Sequence, residues 1–181
     1  MDALSLQRIQ LLHPKLRIEA TQILKEIEAV LTGNAHCRFT FTLRTFSEQQ
    51  TIYNQGRTTG GIVVTNAKPG QSLHNYGLAV DIALIVDTDN NGSFETSSWN
   101  TIKDYDKDGK ADWMECVAIF KKYGWIWGAD WNNNGVTKAQ GDTSEKLVDA
   151  PHFQKTFGLT WQQCLKLYEA KSVDSKGYIL I

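Results

Sequence analysis

The spacing of apolar residues predicts helices and strands along the first third of this chain. Within residues 13–33, apolar side chains recur every three or four positions, which indicates an amphipathic helix. Residues 38–43 alternate with period two and are rich in aromatic and β-branched side chains, so they predict a strand. Ser47, with Gln50 three positions later, is a capping-box signature and predicts the start of a second helix.

The remaining two thirds of the chain combine a long apolar run with polar insertions. Residues 79–86 are apolar except for Asp81 and predict a buried strand. Polar segments follow at 87–112 and 128–146. Three further elements are predicted: a helix at 113–123, a short strand at 125–127 and a helix at 160–171. Because the elements alternate without a regular βαβ repeat, we expect an α+β fold with a small, mainly antiparallel sheet flanked by helices.

Composition limits the classes of function. A chain of 181 residues with 41% apolar and 22% charged residues suits one domain, which we expect to act as a monomer. The net charge of −1 gives no reason to expect a nucleic acid partner. The first residues lack the basic start and apolar stretch of a secretion signal, so we expect synthesis in the cytoplasm without membrane insertion. Cys37, Cys116 and Cys164 are predicted to be reduced core residues rather than catalytic thiols.

Asp81 needs a partner, because an unpaired carboxylate is costly inside an apolar strand. His74 lies seven residues upstream in a turn-forming stretch, and His152 shares a short apolar-flanked segment with Asp149. Histidine and aspartate are ligands of catalytic zinc, which has three protein ligands and one open position. These residue types alone leave a second interpretation open, in which two core histidines are hydrogen-bonded to two aspartates.

A larger motif surrounds these residues. SLHNYGLAVD at residues 72–81, preceded by VTNAKPGQ and followed by WGADW and DAPHF, resembles a family of zinc peptidases. The family includes D-alanyl-D-alanine carboxypeptidases and L-alanyl-D-glutamate endopeptidases, several of them phage endolysins. The similarity extends from about residue 12 to Phe153. It implies a hedgehog/D,D-peptidase-like fold for a single peptidase domain over residues 1–181.

Carried onto matching positions, the resemblance implies roles for individual residues. The zinc ligands would be His74, Asp81 and His152. Asp149 would be the general base, although many relatives have the longer Glu there. Arg44 would lie in the active-site cleft and either stabilise the oxyanion or hold a substrate carboxylate. Ser72 and Gln50 would contact substrate or support the metal ligands.

The resemblance also implies a substrate. The form of the motif favours an L-alanyl-D-glutamate endopeptidase of phage or prophage origin, cleaving the stem peptides of bacterial peptidoglycan. Such an enzyme would reach the cell wall after release through a holin-type pore. A D-alanyl-D-alanine carboxypeptidase is the alternative within the family. An alternative of another class is a non-catalytic, zinc-containing module that binds cell wall or protein.

The polar segment after the long strand predicts a second metal site. Residues 104–115 fit the twelve-residue calcium loop, with Gly109 at the sixth position, and would form an insertion at 87–115. The expected ligands are Asp104, Asp106, Asp108, the backbone carbonyl of Lys110, Asp112 and Glu115. No helix is predicted before the loop, so a solvated acidic loop is the alternative. The stretch beginning at Asp87 is similar but fits less well, and that beginning at Asp130 predicts a turn.

Overall fold

Five helices surround a five-stranded sheet in the computed structural model, which describes residues 1–181. The helices are α1 (Ala3–Ile9), α2 (Arg17–Val30), α3 (Phe46–Asn54), α4 (Asp112–Lys122) and α5 (Trp161–Glu169). The strands are β1 (Ala35–Phe41), β2 (Ala79–Val86), β3 (Thr96–Ser98), β4 (Ile126–Trp127) and β5 (His152–Gln154). Short 3-10 turns lie at Pro14–Leu16, Leu73–Tyr76 and Lys138–Gln140. Every strand pairing is antiparallel, so the predicted α+β class is confirmed.

The strand β2 is the centre of the sheet. The strand order is β1-β2-β5-β4, and β3 also pairs with β2. Because β1 pairs along most of one edge of β2, the strands β3 and β5 share the other edge. There β3 pairs with the end of β2 and β5 with its beginning, around Asp81. The chain between β2 and β5 forms β3, α4 and β4 before it returns to the edge of β2.

One apolar cluster joins the helices to the sheet and fixes the position of β5. The helix α2 buries Ala20, Ile23, Leu24 and Ile27. In α4, Phe120 is fully buried, and its ring stacks on that of Phe153 with the centroids 4.2 Å apart. Full burial of such a side chain contributes about 1.5–3 kcal/mol. The core therefore holds the residue next to His152 rigidly.

Several element boundaries differ from the predictions. The helix α1 and the strands β3 and β5 are additional, and β1 begins at Ala35 rather than at residue 38. The predicted capping box of Ser47 and Gln50 is wrong. Instead, Thr45 Oγ1 accepts the backbone N–H of Glu48 at 3.1 Å, and a Glu48 carboxylate oxygen accepts the N–H of Thr45 at 2.7 Å. This pair satisfies the free N–H groups at the helix start, so α3 begins at Phe46.

All three cysteines are buried and free, as predicted. No helix combines the length and the apolar character that crossing a lipid bilayer requires.

Candidate active site

His74 lies in the short 3-10 turn before β2, and its neighbours hold this turn in place. Ser72 Oγ accepts the backbone N–H of His74 at 3.3 Å. Gly77 ends the turn at a φ of +67°, which glycine adopts without strain. A Cβ at Gly77 would come within 2.7 Å of the backbone nitrogen of His13. The turn is therefore packed tightly against the segment before α2.

The strand pairing brings Asp81 and His152 together. They are directly opposite each other in the antiparallel pair of β2 and β5. Directly opposite residues have Cβ atoms about 4.5–5.5 Å apart, so their side chains meet when they lie on the same face. His74 approaches the same point from the turn that leads into β2.

The side-chain atoms of these three residues form a nearly equilateral triangle. His74 Nε2 lies 3.1 Å from Asp81 Oδ1 and 3.2 Å from His152 Nδ1. The third side, from His152 Nδ1 to Asp81 Oδ1, is 3.3 Å. Both histidines are buried, whereas the Asp81 side chain keeps 23% of its surface exposed. The triangle is therefore open to solvent on the carboxylate side.

The outer ring nitrogens decide what the triangle presents to its centre. His74 Nδ1 lies 2.6 Å from the backbone oxygen of Thr42, and His152 Nε2 lies 3.0 Å from Gln154 Oε1. Because both partners are oxygen acceptors, each outer nitrogen donates a proton, and each inner nitrogen carries a lone pair. Three acceptors then face one another without a donor between them. Such an arrangement requires a cation.

The spacing of the three atoms fits a metal ion. Ligands about 2.0–2.1 Å from a tetrahedral zinc ion lie about 3.3 Å from one another, close to the sides of this triangle. Two histidines and one carboxylate with an open fourth position are also the ligand set of catalytic zinc. The structure thus brings together the three residues that the resemblance implies as ligands, in a possible metal site.

The acid–base properties of these groups agree with a positive charge at the centre of the triangle. Burial raises the pKa of the Asp81 carboxyl, but the charge and hydrogen bonds of the neighbouring imidazoles in their protonated forms outweigh it and hold the pKa well below its usual range. Burial lowers the pKa of His152, but the hydrogen bond to Asp81 and its charge raise the pKa above the ordinary value.

Asp149 lines the same cleft as the three candidate ligands, at the turn before β5. Its carbonyl accepts the N–H of His152 at 3.0 Å, and its N–H donates to Gly128 at 2.7 Å. Desolvation by the cleft walls raises the pKa of the Asp149 carboxyl; the charge of His152 opposes this change and that of Asp81 adds to it. A carboxylate with a raised pKa beside a candidate metal site is suited to accept a proton.

Arg44 lines the cleft as well, and its guanidinium is held from two sides. It lies over the Phe41 ring, 4.5 Å from the centroid, and its Nη1 donates to Gln49 Oε1 at 3.0 Å. Gln49 is fully buried and also donates to the backbone oxygen of Ala67 at 2.7 Å. Since Nη1 alone has an acceptor in the protein, the other guanidinium donors remain available to a ligand.

Gln49, and not the predicted Gln50, contacts a residue of the cleft through its bond to Arg44. Gln50 lies on the exposed face of α3, bonds to Asn54 and does not line the cleft. Adjacent helical residues point about 100° apart, so only one of the two glutamines can face Arg44. The capping box at Thr45 would have revealed this helix phase. Ser72, the other residue named with Gln50, does line the cleft.

The remaining walls of the cleft combine apolar and polar side chains. The cleft encloses about 990 Å³, and its rim carries the exposed side chains of Val63, Val64, Leu147 and Val148. The ring of Trp131 lies 5.3 Å from that of His152. Polar side chains such as those of Asn66, Gln71 and Thr160 also line the cleft, so its walls offer hydrogen-bonding groups as well as apolar surface to a ligand.

The residues of the predicted calcium loop lie outside this cleft. The carboxylates of Asp104, Asp106 and Asp108 converge in the polar segment before α4, and Asp112 and Glu115 lie in the first turn of that helix. The side chain of Lys110 is largely exposed.

Comparisons with known proteins bear on the family of this chain. A family model described as D-alanyl-D-alanine carboxypeptidase matches residues 65–137. The peptidoglycan L-alanyl-D-glutamate endopeptidase CwlK of Bacillus subtilis (strain 168) is 39% identical over 125 residues, covering 66% of this chain and 66% of CwlK. The chain belongs to this D-alanyl-D-alanine carboxypeptidase-like peptidase family. The chain spans just under two thirds of the length of CwlK.

A solved structure of the L-Ala D-Glu endopeptidase ChiX from Serratia marcescens is also similar to this chain. The match covers 87% of this chain and 90% of ChiX, at 19% sequence identity and a TM-score of 0.49.

Proposed function

We propose that this chain is a zinc-dependent L-alanyl-D-glutamate endopeptidase that hydrolyses the stem peptides of bacterial peptidoglycan. The observation that carries the proposal is the triangle of three acceptor atoms, 3.1–3.3 Å apart, at the floor of a cleft that also contains Asp149 and Arg44. Membership of the peptidase family supports hydrolysis. The 39% identity to a relative named for this endopeptidase activity supports the choice of bond.

The metal of the proposal is zinc, held by His74, Asp81 and His152. When bound, zinc supplies a Lewis acid that polarises the amide carbonyl and lowers the pKa of a water molecule. The backbone oxygen of Thr42 and the amide oxygen of Gln154 keep the two imidazoles in the tautomers that expose their inner lone pairs.

Asp149 moves the proton in this mechanism. Its carboxylate takes a proton from the attacking water as the new C–O bond forms, and then gives it to the amide nitrogen as the C–N bond breaks. The products are a free carboxylate and a free amine, so atoms and charge balance. Desolvation, which raises the pKa of Asp149, makes this carboxylate a better base.

Arg44 binds negative charge in the cleft. Its unpaired guanidinium donors can hold either the developing oxyanion or a carboxylate of the stem peptide. The Phe41 ring and Gln49 keep the guanidinium in a fixed orientation, which reduces the entropy lost when the substrate binds.

The test is incubation of the zinc-loaded protein with purified muropeptides, followed by mass spectrometry. We expect products cut between L-alanine and D-glutamate, and we expect Asp149→Ala to retain zinc but lose hydrolysis. Asp89→Ala is a control, because it removes an exposed aspartate outside the cleft. Stem peptides left intact by the zinc-loaded protein would contradict the proposal.

The same experiment separates the alternatives. The description of the matching family model favours a D-alanyl-D-alanine carboxypeptidase, which would instead release the terminal D-alanine. A non-catalytic zinc-containing module would bind muropeptides without cleaving them, with or without Asp149. We propose further that residues 1–181 act as a single, monomeric peptidase domain. The proposed place of calcium is the 104–115 loop, whose residues lie outside the cleft.

A further inference from the structure

The loop at 104–115 gathers carboxylates at a spacing that suits calcium. Ligand oxygens of Asp104, Asp106 and Asp108 all lie within 4.8 Å of one another. Oxygens bound to one calcium ion at about 2.3–2.6 Å are at most about 5 Å apart. Gly109, at the sixth position, has a φ of +95°, and its N–H donates to Asp104 at 2.9 Å. Acidic turns commonly show such bonds, so these features do not identify a metal site by themselves.

Two carboxylates from the first turn of α4 provide a second and independent observation. Asp112 is fully buried, and its Oδ1 has no hydrogen-bond partner. The Glu115 side chain is 10% exposed, and its Oε2 is buried without a partner. Burial and the nearby carboxylates of the loop raise the pKa of both groups. A buried carboxylate oxygen without a donor is unfavourable, and a bound cation removes the cost.

A cationic side chain already lies at the edge of this cluster. Lys110 Nζ is 3.0 Å from Asp108 Oδ2 and 3.5 Å from Glu115 Oε1. Because the Lys110 side chain is 68% exposed, the ammonium group can move into solvent at little cost. Its backbone carbonyl is at the seventh position of the loop, where calcium loops use a carbonyl ligand.

We propose that the 104–115 loop binds one calcium ion, which displaces the Lys110 ammonium. The ligands are Asp104, Asp106, Asp108, the carbonyl oxygen of Lys110, Asp112 and Glu115. The ion links the loop to the start of α4. Asp106 also accepts the N–H of Thr32 at 2.9 Å, so the ion stabilises the contact of this loop with the end of α2. Because none of these ligands lines the cleft, the proposed role of the ion is structural.

The two similar loops lack the second observation. At 87–95, the carboxylates of Asp87, Asp89 and Glu95 also converge. Both oxygens of the buried Asp87, however, accept backbone N–H groups, from Asn91 at 3.2 Å and Gly92 at 2.8 Å. At the loop beginning with Asp130, the buried carboxylate is already paired with the ammonium of Lys121.

The test is isothermal titration of the zinc-loaded protein with calcium chloride. We expect one equivalent to bind with a Kd below about 1 mM, and magnesium to bind at least about tenfold more weakly. Glu115→Gln should lose this binding, whereas the matched variant Asp89→Asn should retain it. Absence of calcium binding at about 10 mM, or its loss in Asp89→Asn rather than in Glu115→Gln, would overturn the proposal.

Thermal melts show whether a variant loses calcium binding only because it is misfolded. In calcium-free buffer, Glu115→Gln should melt no lower than the wild type, because it removes a buried charge without a full set of partners. Added calcium should raise the melting temperature of the wild type by several degrees and leave that of Glu115→Gln unchanged. Lys110→Met should bind calcium more tightly than the wild type, since the competing ammonium is gone. Weaker binding by Lys110→Met would contradict the displacement step.

Discussion

Gly128 tests whether the turn before β5 is as tightly placed as its contacts indicate. A Cβ added at this position would overlap with the carbonyl oxygen of Asp149 and would lie 3.1 Å from the Cβ of His152. The backbone of Gly128 is outside the left-handed region, so Gly128→Ala introduces no strain in φ. The effect of this substitution is therefore steric.

The expected size of the effect follows from how far the turn must move and from the hydrogen bonds that hold it in place. Gly128 donates its N–H to the carbonyl of His152 at 2.8 Å and accepts the N–H of Asp149 at 2.7 Å. To restore normal contact distances, the turn must move by about 1 Å. A displacement of this size in a catalytic site lowers activity about 100-fold. Overpacking also lowers the free energy of unfolding by about 1–3 kcal/mol.

The assay combines muropeptide hydrolysis, zinc affinity by chelator competition, and thermal melting of Gly128→Ala. Gly60→Ala is the matched control, because a Cβ at Gly60 meets nothing within 4 Å. Loss of hydrolysis with zinc retained would implicate Asp149, and loss of both would implicate His152. If Gly128→Ala hydrolyses muropeptides like Gly60→Ala, the reasoning that the turn positions the catalytic groups is refuted.

Three further outcomes are expected. Gln154→Leu removes the acceptor of the His152 ring and should weaken zinc binding about 10–100-fold in chelator competition, whereas Gln154→Glu should restore most of it. Gln49→Leu releases the Arg44 guanidinium and should lower kcat/KM for muropeptides about tenfold while the zinc content stays the same. Burial lowers the pKa of His13 below its ordinary 6.5, so the folded chain binds this proton less readily than the unfolded chain, and stability is lost as pH falls below that value. In urea unfolding, the stability advantage of the wild type over His13→Gln should therefore be steady above about pH 7 and shrink towards pH 5; a constant difference would contradict this assignment.

The apolar pattern singled out Asp81 as a residue that needs a partner, whereas the assignment of His74 and His152 as its co-ligands came from the family resemblance. A single carboxylate in β2 demanded a partner, and the period-two alternation of β5 puts His152 and Gln154 on the same face. That alternation could have identified Gln154 from the sequence. The backbone oxygen of Thr42 could not have been identified, because a carbonyl has no residue-specific pattern and its approach to His74 depends on the tertiary fold.

The elements that escaped prediction are stabilised by distant parts of the chain. The helix α1 is only seven residues long, too short to be stable alone. It is anchored by the ion pair of Asp2 with Arg38 at 2.8 Å and by Ser5 Oγ, which accepts the N–H of Phe39 at 2.8 Å. The spacing of residues within the first helix does not predict either contact, because both partners lie in β1. Similarly, β3 is a strand because the edge of β2 offers it partners.

The long separation of His74 and His152 in the sequence has a consequence for the unfolded chain. His74 and His152 are 78 positions apart, and all three cysteines are free, so no disulfide restricts the chain between them. A zinc ion held by both would close this long loop much as a covalent cross-link does. The entropy of closing a loop rises only by about 0.6 kcal/mol for each doubling of its length. A change in the length of the polar segments between β2 and β5 would therefore cost little, because a metal held by both histidines would keep the two ends together.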